Sequence, residues 1–150
     1  RFVDVDATPV LGGGVLYTAS FSGGVYALDP ASGDVKWHYE VEGASSVAVD
    51  GDRVYFGAAR LGVHCLDLNG QVVWQQALSA QGALSPMVLV RGHLLLSSAA
   101  GGTYVVDARS GTLEQFFRPG KGVSAPPVSD GAHVYVLTNA GYFYAFDLRA

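Results

Sequence analysis

The chain has 150 residues, of which 49% are hydrophobic and 15% charged, and carries a net charge of −4. It has no basic stripe to attract nucleic acid, and Gly and Pro break every apolar run well short of the ~18 residues of a membrane helix. A lone cysteine, Cys65, excludes an intrachain disulfide and leaves the redox compartment unread.

Arg1–Asp6 reads as a connection into a first strand at about Thr8–Leu11. The Gly12-Gly13-Gly14 turn leads to a second strand around Tyr17, and Ser22-Gly23-Gly24 leads to a third, Val25–Leu28, closed by Asp29. Gly supplies the positive φ that such hairpin turns require. A turn ending in Gly33 opens a fourth strand, Gly33–Trp37, in which Val35 and Trp37 alternate with polar residues, the period of a half-buried strand.

The plan then repeats. A second unit has a first strand at Ser46–Val49, a turn at Asp50-Gly51, Tyr55, Gly62, a third strand at Val63–Leu66, then Asp67, Gly70 and Trp74. A third unit has Pro86–Val90, Arg91-Gly92, Leu95, Gly101-Gly102, Thr103–Val106, Asp107 and Gly111, but it slips: Gln115 takes the Trp place and Phe116 lies beside it. A fourth has Pro126–Val128, Asp130-Gly131, Tyr135, Gly141, Phe143–Phe146 and Asp147. The Asp anchors lie 38, 40 and 40 residues apart, the β period of propeller blades. The expected fold is all-β, a β-propeller of four-stranded blades at about 7–42, 43–78, 82–118 and 122–150, the last without its fourth strand. Charged content below the ~25% usual in soluble domains suits broad stacked apolar faces. The chain starts at Arg1 rather than Met, so the expectation is a piece of a longer protein, about four blades of an eight-bladed ring. The missing strand is expected from outside these residues.

Residues that recur read as architecture. Asp29, Asp67, Asp107 and Asp147 are expected to cap the turns they begin. His64 stands where other units have Tyr26, Tyr104 and Tyr144, and Cys65 stands where they have Ala27, Val105 and Ala145, so both read as packing residues. Asp4 and Asp6 stand apart. At i and i+2 their carboxylates point the same way in extended chain, and two repelling charges suit a cationic partner better than they suit the fold. No nucleophile elbow, phosphate loop or calcium loop is present, and no His, Cys and Asp spacing suits zinc. The expectation is no catalytic residue, no metal and no cofactor.

The Asp-x-x-x-Gly-x-Val-x-Trp run at Asp29–Trp37 resembles the repeat of pyrroloquinoline-quinone (PQQ)-like propellers. That resemblance implies interblade packing for Trp37 and Trp74, with Phe116 assigned beside them. Asp4-Val5-Asp6-Ala7-Thr8-Pro9-Val10 resembles the Asp-Val-Asp-x-Thr-Pro-Val segment of the BamB family of outer-membrane β-barrel assembly lipoproteins. The resemblance implies a non-enzymatic scaffold on the periplasmic face of the outer membrane, joined to the membrane only by a lipid anchor absent from this chain. It makes Asp4 and Asp6 the residues that dock the periplasmic domains of the BamA-like barrel-insertion subunit, with unfolded outer-membrane proteins as further partners. The alternatives are a fragment of a PQQ-dependent quinoprotein dehydrogenase, many of which carry a vicinal Cys-Cys pair that this chain lacks, and a propeller sensor module of a signalling protein.

Overall fold

A computed structural model of the chain describes residues 7–80 and 82–149, and every regular element among them is a strand. The chain divides into two compact units, one ending at Leu78 and the other starting at Ser79.

The first unit holds two antiparallel sheets. One runs in the order β1 (Val10–Gly12), β2 (Val15–Ser20), β3 (Gly24–Leu28), β4 (Val35–Tyr39); the other runs β5 (Ala44–Asp50), β6 (Arg53–Ala58), β7 (Gly62–Asp67), β8 (Val72–Gln76). The middle strands are buried on both faces. Tyr17, Thr18, Ala19 and Ser20 are all buried in succession, as are Val54 to Ala58. The core is built from Tyr17, Val25, Ala27, Val47, Phe56 and Leu66, with Trp37 and Tyr39 packed against it.

The second unit repeats the plan once in full. Its sheets run β9 (Val88–Val90), β10 (His93–Ser97), β11 (Thr103–Asp107), β12 (Leu113–Phe117), and then β13 (Val128–Ser129), β14 (His133–Leu137), β15 (Phe143–Asp147). Leu95, Val105, Val123, Val134 and Val136 form its buried cluster, flanked by Val88, Val90, Phe146 and Leu148.

Three differences from the expected boundaries have physical reasons. The first strands of the proline-bearing units start later than expected, at Val10, Val88 and Val128, because Pro9, Pro86, Pro126 and Pro127 have no N–H to give the ladder. The proline-free β5 starts earlier, at Ala44. The outer strands start two residues after their turn glycine, at Val35, Val72 and Leu113. Each then pairs with its neighbour through a register shift at one recurring place, Ala27/Leu28, Cys65/Leu66 and Val105/Val106. Such a bulge adds local twist to the edge of a sheet.

Two turn glycines test how packing adds to backbone strain. Gly33 and Gly70 have φ of 79° and 81°, a left-handed conformation that costs other residues about 1–2 kcal/mol. A Cβ on Gly33 would meet open space, whereas one on Gly70 would lie 2.9 Å from the Trp37 ring. Gly70→Ala is therefore expected to lose about 1 kcal/mol more than Gly33→Ala in urea denaturation, the overpacking being added to the shared strain. Equal losses would mean that the Trp37 ring yields freely.

Candidate functional site

One cross-strand row recurs in the three four-stranded sheets. Tyr17 pairs with Ala27, and Ala27 with Trp37; the two rings lie 5.9 Å apart over the small residue between them. Tyr55, Cys65 and Trp74 repeat the row with 6.0 Å between rings. Leu95, Val105 and Gln115 form the third row. The Trp37 indole N–H donates to the Leu68 carbonyl at 2.8 Å, which ties the first sheet to the turn of the second. In the second unit the Gln115 side-chain amide donates to the Asp147 carbonyl at 3.3 Å, the same kind of tie.

This register puts Phe116 on the opposite face from Gln115, where it pairs with Tyr104 and stacks on its ring at 4.6 Å. The aromatic residue of β12 that meets the next sheet is Phe117, 4.9 Å from Tyr144 and 5.6 Å from Phe146. It matches Tyr39, which meets Phe56 at 5.5 Å. Alternation along the strand separates 116 from 115 and 117, and the sequence shows that alternation once the ladder is aligned.

Three of the four anchor carboxylates bond backbone. Asp29 Oδ1 accepts the N–H of Ala31 (2.8 Å) and Ser32 (3.1 Å). Asp67 Oδ1 accepts those of Asn69 (2.8 Å) and Gln71 (2.9 Å). Asp107 Oδ1 accepts the Ser110 N–H (2.6 Å) and hydroxyl (2.7 Å). These bonds hold the Asp29 and Asp107 carboxyls below the usual range, through backbone N–H groups at Asp29 and chiefly through the Ser110 hydroxyl at Asp107. The Asp147 side chain is 88% exposed, with His133 Nε2 3.7 Å away. A further carboxylate, Asp130, accepts the N–H of His133 (2.7 Å) and Ala132 (2.8 Å) and the Tyr135 hydroxyl (2.8 Å). Those bonds, the backbone ones first, push its carboxyl far down.

Other titratable groups sit in packing roles. Burial pushes the Cys65 thiol up to about 11, which keeps it protonated and unreactive. His64 is buried and stacked on Phe56 with centroids 4.7 Å apart, and burial lowers its pKa. Among the described residues no group of three or more His, Cys, Asp or Glu is placed to hold a metal ion.

Asp4 and Asp6 lie outside the described residues. Their acid-Val-acid spelling has a described counterpart that the sequence reading passed over: Glu40-Val41-Glu42, which joins β4 to β5. Both Glu side chains are exposed, while Val41 packs on the core between them. Gly43 fixes the loop end, donating to the Phe21 carbonyl at 2.7 Å and accepting from the Ala59 N–H at 2.9 Å. A connection held this way presents two carboxylates on a rigid base.

The remaining unusual surface is the outer edge of β15. Thr138 N–H donates to the Tyr142 carbonyl and Leu148 N–H to that of Ala132. By the alternation of an antiparallel ladder, Phe143, Ala145 and Asp147 therefore turn their N–H and C=O outward. Phe143 is 68% exposed, whereas its counterparts Val25, Val63 and Thr103, which pair with a fourth strand, are fully buried.

The chain matches the family model described as outer membrane protein assembly factor BamB over residues 2–150. It is 31% identical to the outer membrane protein assembly factor BamB of Salmonella typhimurium over 148 residues, 97% of this chain and 38% of that protein. This chain thus spans little more than a third of that relative's length. The crystal structure of BamB from Moraxella catarrhalis superposes with a TM-score of 0.78 at 18% identity, covering 96% of this chain and 43% of that one. The quinohemoprotein alcohol dehydrogenase ADHIIG of Pseudomonas putida HK5 gives 0.72 at 20% identity, over 89% and 29%. The fold is accordingly an all-β propeller architecture of PQQ-like blades.

Two expectations test the roles assigned here. Asp107→Ala is expected to lose roughly 1 kcal/mol, the worth of a modest hydrogen bond, and Asp147→Ala almost nothing. Because the Asp107 carboxyl is held low, that difference is present above the ordinary carboxylate range and vanishes as pH falls through and below it. For His64 the unfolded chain takes up a proton near the ordinary imidazole value of about 6.5, which the buried ring resists. Stability is then lost as pH falls below that value, and His64→Phe is expected to flatten the loss in denaturation midpoints taken at high and low pH.

Proposed function

We propose, because the chain belongs to the family of the outer membrane protein assembly factor BamB, that it is part of a non-enzymatic scaffold for outer-membrane protein assembly. The scaffold works on the periplasmic face of the outer membrane. Its chemistry is docking: carboxylates on short, fixed connections between sheets meet cationic surface on the periplasmic domains of the barrel-insertion subunit. Asp4 and Asp6 are the docking pair, and Glu40 and Glu42 extend the same device to the next connection.

The observation that supports this reading is the geometry of Glu40-Val41-Glu42, where the half-buried Val41 packs against the core and both acids are left to solvent. Exposed loops on a rigid scaffold are the usual carriers of recognition. The likeness to the quinohemoprotein enzyme is one of fold alone, and fold does not carry activity.

In the longer protein, a strand from outside these residues completes the sheet β13–β15. The relative's greater length supports that source. The free edges of outer strands suit β-augmentation by extended, unfolded outer-membrane proteins.

Docking is tested by reversing charge. Asp4→Lys with Asp6→Lys, and separately Glu40→Lys with Glu42→Lys, are made in the intact protein, and association with the partner's periplasmic domains is followed by surface plasmon resonance. About tenfold slower association, largest at low salt, is expected, as for charges that steer an encounter. Unchanged rates for the first pair would remove Asp4 and Asp6 from the interface.

A further inference from the structure

In the first unit the β2–β3 turn (Phe21–Gly23) and the β6–β7 turn (Ala59–Leu61) meet the Glu40-Val41-Glu42 connection at Gly43. The Gly43 N–H donates to the Phe21 carbonyl, and its own carbonyl accepts the Ala59 N–H. A Cβ on Gly24 would lie 2.8 Å from the Val41 N, and one on Gly43 would lie 3.2 Å from the Ala59 N, so turns and connection pack backbone against backbone. Two large apolar side chains stand on this base: Phe21 and Leu61 are each 47% exposed. The corresponding turns of the second unit carry only Ala99-Ala100-Gly101 and Asn139-Ala140-Gly141.

The leucine is held there at a cost to its turn. Its place in the other turns belongs to Gly23, Gly101 and Gly141, each three residues before a tyrosine, Tyr26, Tyr104 or Tyr144. A Cβ on Gly23 would lie 2.8 Å from the Tyr26 hydroxyl, and one on Gly101 would lie 3.1 Å from that of Tyr104. A side chain and a tyrosine therefore compete for this space. The second sheet gives up the tyrosine for His64, and Ala58 stands where the others have Ser20, Ser98 and Thr138. Arg60 takes φ of 70°, while Ser22, Ala100 and Ala140 have no positive φ; that left-handed conformation is unfavourable for any residue with a Cβ. Departures from a repeated plan collect where function sets the choice, and these end in a leucine left half exposed.

We propose that Phe21 and Leu61 form the apolar centre of a docking surface whose acidic rim is Glu40 and Glu42, and that it receives a protein segment carrying a large apolar side chain flanked by lysine or arginine. This rests on the reading that the partner is the periplasmic part of the barrel-insertion subunit, and it names the kind of segment that subunit offers. Charge complementarity selects the occupant. Among the described residues no ion pair engages Glu40, Glu42 or Arg60, so two acids stand against one cation. An anionic lipid surface attracts basic segments and would be repelled by this acidic rim, and a second copy would set like charges together. An apolar centre inside a polar rim is the usual anatomy of a protein interface, with the anchors in the centre holding most of the affinity.

The test uses the intact protein and the partner's periplasmic domains in surface plasmon resonance. Phe21→Ala with Leu61→Ala removes the centre; alanine already stands at the Phe21 place in the next two turns, so the denaturation midpoint is expected to hold. Dissociation faster by about tenfold or more is expected, with association changed less than about twofold, as for loss of central anchors. Phe21→Leu with Leu61→Met, which keeps the surface apolar, is expected to dissociate like the wild type. Glu40→Lys with Glu42→Lys slows association instead, because rim charges steer the encounter.

Unchanged dissociation with the two alanines overturns the apolar centre, and the docking reading stands if charge reversal still slows association. Unchanged rates for both sets of variants overturn this surface and the role given to Glu40 and Glu42 together. Faster dissociation with an equally lowered denaturation midpoint, in the alanine and the apolar pair alike, assigns Phe21 and Leu61 to folding and overturns the proposal. Loss of binding to an unfolded outer-membrane protein, with the subunit still held as tightly, overturns the occupant.

Discussion

The structure depends on one packing constraint, a row of three side chains across each sheet of the first unit, in which a small middle residue lets two large ones meet. Tyr17 and Trp37 close over Ala27, and Tyr55 and Trp74 over Cys65. The constraint reaches beyond its own sheet because the Trp37 N–H is satisfied only by the carbonyl of Leu68 in the next one. Gly70 in turn has no room for a side chain because that ring lies against it. Ladder, turn and neighbouring sheet are thus specified together, and such agreement between levels marks a sequence that encodes one fold.

The same row explains where recurrence ends and function starts. The anchor carboxylates look like a functional ring when written in a line, yet three of them bond the backbone of their own turns. Two acids free of such duties, Glu40 and Glu42, lie on the connection between the first two sheets. They are exposed on either side of a half-buried Val41, an arrangement in which the fold holds the loop and leaves its charges to solvent.

Much of the fold was legible in the sequence because its signals are local. Turn glycines, the Asp anchors and alternation in the outer strands give three full units and one lacking an outer strand, and the sheets follow that order. The rest becomes legible only when two strands are aligned. Phe116 sits beside Gln115 in sequence, but pleating sends it to the other face and leaves Phe117 to meet Tyr144. Prolines shifted strand starts by two residues because a missing donor acts on the ladder rather than on hydrophobicity. The site was less legible. Asp4 and Asp6 were chosen for not recurring, whereas Glu40-Val41-Glu42 repeats their spelling at a different distance from its strand, so alignment on the Asp anchors hides it.

The central claim is that middle and outer residues of the row are chosen for each other's size. A double-mutant cycle on the first sheet tests it directly: Ala27→Val, Trp37→Gln and the pair, which together write the middle and outer residues of the third sheet's row into the first. Equilibrium denaturation should show each single change to be destabilising and the pair less costly than their sum by about 1 kcal/mol or more, as coupled neighbours behave. Strict additivity would mean that Ala27 and Trp37 are independent choices and would contradict the account.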